Sequence, residues 1–112
     1  MAKYIPRKGD FVSVAFDPQS GHEQKGRRPA IVLSHYLFNK HTRLAIVCPL
    51  TTSDRQVPFH LPLPEGLRLS GFVMVEQVKS IDYWARQARF IQKAPSQLIE
   101  DIISILDACI KT

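Results

Sequence analysis

Along this chain the apolar residues fall first into short runs broken by glycine, proline and charge, and only at the end into a helical rhythm. The run FVSVAF at positions 11–16 follows Gly9-Asp10 and stops at Asp17-Pro18. Short runs rich in β-branched and aromatic residues, bounded by such breakers, read as strands. The same reasoning predicts strands over 29–34, 44–50, 71–75, 78–81 and 86–91. Residues 57–63 can also extend, but Pro58, Pro62 and Pro64 push that segment towards a sheet edge, because proline cannot donate to a ladder. Residues 36–42 are mixed in polarity and read as a single helical turn.

From Pro95 the period changes. Leu98, Ile99, Ile102, Ile103, Leu106, Cys109 and Ile110 recur at helical spacing, with Gln97, Glu100, Asp101, Ser104 and Asp107 opposite. Pro95 suits a first helical turn, where a missing N–H costs nothing. Together the elements predict one mainly β domain over residues 1–112, a small and mostly antiparallel barrel closed by a C-terminal helix.

Composition then narrows the class. An apolar fraction of 45% suits a packed core and is too high for a disordered chain. No stretch offers the roughly 18 uninterrupted apolar residues of a membrane span. The opening MAKYIPRKGD lacks the apolar core of a secretory leader, so a cytoplasmic protein is expected. Cys48 and Cys109 each stand alone in an apolar run and read as buried thiols, not as a disulfide. The net charge of +5 adds more, because the field of so basic a small domain attracts polyanions or acidic partners.

That charge is concentrated where it can act. SGHEQKGRRPAIVLSH, positions 20–35, gathers His22, Glu23, Lys25, Arg27 and Arg28 in a glycine-flanked turn and then passes into an apolar strand. Such a stretch is either a solvated loop or a set of acid, base and anion-holding groups on a rigid mount. Metal binding is the weaker option. His22, His35, His41 and His60 lack ligand spacing, Cys48 has no partner nearby, and Asp10, Asp17, Glu76 and Asp82 form no tight acidic cluster. Neither a metal nor another cofactor is expected.

Three ordered segments carry a family resemblance. Gly9-Asp10, Phe16-Asp17-Pro18 and Gly21-x-Glu23-Gln24-x-Gly26-x-Arg28-Pro29-Ala30-x-Val32-Leu33-Ser34 form the first; Pro49-Leu50-Thr51-Thr52 the second; Glu76-Gln77-Val78-Lys79-Ser80-Ile81-Asp82 the third. In this order, and over nearly the whole chain, they resemble the MazF/PemK toxin family. The resemblance implies an SH3-like antiparallel barrel, a homodimer, and metal-free cutting of single-stranded RNA at short sequences. It also implies the toxin half of a type II toxin–antitoxin pair, held by an antitoxin whose acidic, partly disordered C-terminal region wraps the dimer.

Metal-free cleavage of RNA uses the neighbouring 2′-OH as nucleophile on its own phosphate. It needs a base for that hydroxyl, an acid for the 5′ oxygen, and donors for the phosphorane oxygens. Arg28 is the foremost candidate, since a guanidinium fork matches two phosphate oxygens and Pro29 restrains the backbone at the strand mouth. Thr51 matches the family's threonine after the middle strand, and its hydroxyl can donate to a phosphate oxygen. Glu23 serves either as the base or as the group that orients Arg28, with His22 beside it as the other acid–base candidate.

RNA contact is expected to spread further. Arg27 reads as a general phosphate contact and Thr52 lies beside Thr51. Lys79, with Gln77 in the same segment, can hold a phosphate or a base edge. Arg86 follows Tyr83-Trp84, a mix of aromatic and cationic groups that stacks on unpaired bases, although Trp84 can equally pack at the dimer interface or under the helix. Tyr83-Trp84 stands where the family often has an aromatic followed by a basic residue. Arg55, in the loop 53–56, is placed to line the groove and tune sequence choice. Two rivals accompany the nuclease reading: a CcdB-like toxin that poisons a protein such as DNA gyrase, and a non-catalytic RNA-binding module.

Overall fold

The computed structural model describes residues 3–15, 26–53 and 58–111. Seven strands and two helices follow in the order β1 (Asp10–Ala15), β2 (Arg27–Val32), α1 (Tyr36–Thr42), β3 (Leu44–Thr51), β4 (His60–Pro62), β5 (Phe72–Met74), β6 (Lys79–Asp82), β7 (Arg89–Lys93) and α2 (Ser96–Lys111). A 3₁₀ turn, Val75–Gln77, separates β5 from β6. Every strand pairing is antiparallel, and the path runs β4-β5-β3-β2-β1-β7, with β6 also paired to β3. The mainly antiparallel barrel with a C-terminal helix is therefore present, left open between the edge strands β4 and β7.

The long strands read as apolar runs because both of their faces are covered. Phe11, Ile31, Cys48, Leu50 and Val73 point to one cluster, which α2 completes with Leu98, Ile99 and Ile102. Their neighbours Val12, Val14, Ala30, Val32, Ala45 and Val47 point to a second cluster with Ile81 and Tyr83. Both edge strands contribute to the helix-side cluster through Leu61 and Ile91, so α2 ties the open barrel together.

Three local expectations shift. The strand predicted over 86–91 starts later, at Arg89. Asp82 Oδ1 accepts from the N–H groups of Trp84 and Ala85, Arg86 N–H bonds back to Asp82 O, and Gln87 is left-handed at φ 52°, so 83–87 is a turn. On α2, Ile103 and Ile110 are exposed, because the apolar stripe is wider than the core it meets. Cys48 is a buried thiol as expected, but Cys109 is an exposed one.

Candidate active site

Strand register brings the leading pair together. The β2–β3 ladder runs from Val32↔Val47 through Ile31↔Cys48 to Ala30↔Pro49. Two positions beyond the last paired residues of each strand stand Arg28 and Thr51, and both border one cavity at that end. Arg28, Pro29, Leu50, Thr51, Thr52 and Ser70 line one cavity of about 220 Å³. Thr51 Oγ1 accepts the N–H of Ser53 at 3.1 Å, which occupies a lone pair and leaves the O–H to donate.

Arg28 also borders a narrow cleft, of about 30 Å³, on the outer face of the sheet. Its floor is apolar, from Val14, Ala30, Val47, Pro49 and Ile81, and Lys79 and Arg86 join Arg28 along it. The register explains the convergence, because Val14 is opposite Arg28 and Val47 is opposite Lys79. Arg86 is held to the end of β1 by two bonds: its Nη1 donates to Ala15 O at 3.3 Å, and its carbonyl accepts from Ala15 N–H at 2.8 Å. Three cations thus lie along an apolar floor, an arrangement that can hold a phosphate chain with bases against it.

Other expected contacts are placed differently. Arg27 donates Nε to Ser13 Oγ at 2.9 Å and Nη2 to Ser13 O at 2.7 Å and to Gln87 O, so its fork joins β1 to the turn before β7. Burial, and secondarily Arg89, lower its pKa from the ordinary guanidinium value. Gln77 is exposed on the 3₁₀ turn and borders neither of these cavities. Beside it, Glu76 pairs with His60 Nε2 at 3.0 Å. Trp84 packs edge-on to Tyr83, with Lys3 and Arg43 over its ring at 5.1 and 4.7 Å. Glu23, His22 and Arg55 lie outside the described residues. Among the described residues, no group of three His, Cys, Asp or Glu side chains gathers to hold a metal ion.

Ser70 was not legible as part of this site. Its neighbour Gly71 signals a strand start, but nothing in the residue pattern says that the start of β5 lies against the end of β3.

The fold and this basic groove define a small antiparallel barrel built to receive an anionic chain. The sequence profile described as "PemK-like, MazF-like toxin of type II toxin-antitoxin system" matches residues 7–110. The chain belongs to this family. It is 38% identical over 109 residues to the endoribonuclease toxin MazF of Escherichia coli (strain K12), covering 95% of this chain and 97% of that one. It is 40% identical over 110 residues to the endoribonuclease toxin ChpB of the same organism, covering 93% of each. Among solved structures, it superposes on a chain of the MazE-MazF (Form-III) crystal structure from Deinococcus radiodurans with a TM-score of 0.89 at 34% identity, covering 97% of this chain and 99% of that one.

Proposed function

We propose that this chain is the endoribonuclease toxin of a type II toxin–antitoxin pair and cuts single-stranded RNA without a metal ion, Arg28 and Thr51 holding the scissile phosphate. The observation that carries the reading is their shared 220 Å³ cavity beyond the end of the β2–β3 ladder. The ribose 2′-OH attacks its own phosphorus and loses its proton to a base. The P–O5′ bond then breaks as an acid protonates the leaving oxygen. One strand end carries a 2′,3′-cyclic phosphate and the other a 5′-OH. Arg28 and the Thr51 hydroxyl donate to the non-bridging oxygens, where charge grows in the transition state. Glu23 or His22 supplies the base, and Glu23 alternatively orients Arg28.

Lys79 and Arg86 extend the grip along the strand, with Thr52 beside the reacting phosphate. Gln77 and Arg55 are assigned to recognition beyond it. The toxin acts as one domain and as a homodimer in the cytoplasm, and an antitoxin with an acidic C-terminal region covers the same cationic surface. The relatives MazF and ChpB are endoribonucleases, which does not favour the gyrase-poisoning alternative. The test is incubation of a long single-stranded RNA with the protein in EDTA, followed by end mapping. Cyclic-phosphate and 5′-OH ends that vanish with Arg28→Ala are expected. Intact RNA, or undiminished toxicity of Arg28→Ala in cells, would overturn the reading.

A further inference from the structure

One wall of the phosphate cavity is Thr51, Thr52 and Ser70, and the residue after Ser70 is where two backbones meet. Gly71 stands at φ +114°, a conformation L side chains rarely adopt. A β-carbon placed on it would lie 2.2 Å from the Thr51 carbonyl oxygen, 3.0 Å from its carbonyl carbon and 3.1 Å from Thr52 Cα. All three are backbone atoms, so none can swing aside as the end of a side chain can. Gly71 is also anchored from its other side. Its carbonyl accepts the Leu63 N–H at 2.9 Å, and Phe72, the next residue, pairs with Thr51 at the end of the β3–β5 ladder.

We infer that Gly71 is a positioning residue for Thr51, setting the direction in which its hydroxyl donates. The inference rests on the reading of Thr51 as a phosphate donor. Two contacts fix that hydroxyl. Ser53 N–H occupies its lone pair, and the backbone that carries it is seated against Gly71. A side chain at position 71 forces the Thr51–Thr52 segment to shift. The hydroxyl survives but points elsewhere relative to Arg28 across the ladder. A misplacement on the scale of an ångström in a reacting assembly costs about 10²-fold in rate. Glycine inside a strand region marks just such a close approach of another backbone.

The test is a mutant cycle in RNA cleavage. Gly71→Ala is expected to lower kcat roughly 10²-fold with KM changed only a few-fold, because the cations of the groove are untouched. In a Thr51→Ala chain the same substitution is expected to change kcat only a few-fold, since no hydroxyl remains to be misdirected. Equal losses in both backgrounds, or wild-type cleavage by folded Gly71→Ala, overturn the inference. If Gly71→Ala does not fold, a chemically synthesised chain with D-alanine at position 71 decides. D-alanine accepts positive φ and carries its methyl away from the Thr51 carbonyl, so folding and near wild-type kcat are expected. Failure of that chain to fold, or a loss of cleavage in the folded chain, overturns the inference. Full cleavage by Thr51→Ala alone removes the reading of Thr51 itself, and it does so in a chain whose Gly71 is intact.

Discussion

Asp10 on β1 and Arg28 on β2 sit on neighbouring strands, yet their surroundings treat charge in opposite ways. Both Asp10 oxygens are answered from within the chain. The Tyr4 hydroxyl and Arg7 N–H donate to Oδ2, and Lys93 Nζ donates to Oδ1 at 2.9 Å. Burial, and then the bond to Asp10, raise the Tyr4 phenol well above its ordinary value. The carboxylate is 2% exposed and ties the N-terminal segment, β1 and β7 into one unit. Around Arg28, charges of one sign converge instead: the described lining of its cleft holds Lys79 and Arg86 and no carboxylate. A buried charge needs partners inside the protein, whereas cations gathered at a surface cleft add their fields and attract a polyanion from solution. A buried carboxylate answered by several donors marks the scaffold here, and cations of one sign gathered at a cleft mark the proposed working surface.

The contrast can be broken most directly at Arg28. Arg28→Ala is expected to lower the cleavage rate on the order of 10²-fold or more while leaving the thermal melt near wild type. A folded mutant that loses only a few-fold would remove Arg28 from the chemistry. Asp10→Ala should do the reverse. Stability is expected to fall by about 2 kcal/mol, as donors to a charged group lose their acceptor and the exposed Lys93 keeps its water. Cleavage per folded molecule should hold, and urea unfolding beside an activity assay checks both halves.

Smaller effects sharpen the same division. Lys79→Ala should lower RNA affinity and reduce the slope of log K against log salt by about 0.7, the value for one phosphate contact on a single strand. A filter-binding series in rising salt measures it, and an unchanged slope would take Lys79 out of the groove's electrostatics.

Cys48 gives the mildest test, on the scaffold side. Burial, and secondarily Glu76, push its thiol up to about 12, against 9.0 for an unperturbed thiol. Between these values the unfolded chain gives up the proton and the folded chain keeps it. This contribution to stability is therefore intact below pH 9.0 and is lost as pH rises towards 12. Native labelling at pH 8 should modify the exposed Cys109 and spare Cys48, and a Cys48→Ala chain should lose part of the alkaline fall in stability.

Much of the fold was legible because local chemistry and tertiary role agree. Short apolar runs and breakers marked the strands, and the helical rhythm from Leu98 marked α2. The prolines around β4 correctly pointed to a sheet edge. Where reading failed, a local signal was overridden. Arg89 to Lys93 forms β7 because Asp82 captures two N–H groups and pulls the residues before it into a turn. The family motif set Arg28 ahead of Arg27, but only strand alternation shows where each side chain goes. Arg27 faces Ser13 and Gln87, and Arg28 faces the cavity with Thr51.

The amino-acid sequence by itself determined the class of the domain, its basic character, the family to which it belongs and the candidate pair Arg28 and Thr51. These follow from residue type, spacing and order, which are properties of the chain alone. Only the tertiary structure decided that the pair border one cavity, that Lys79 and Arg86 join Arg28 over an apolar floor, and that Ser70 and Gly71 close the wall behind Thr51. The reason is register. Residues far apart in the chain meet only once hydrogen bonding fixes which strand lies beside which, and a slip of one residue would turn each side chain to the opposite face.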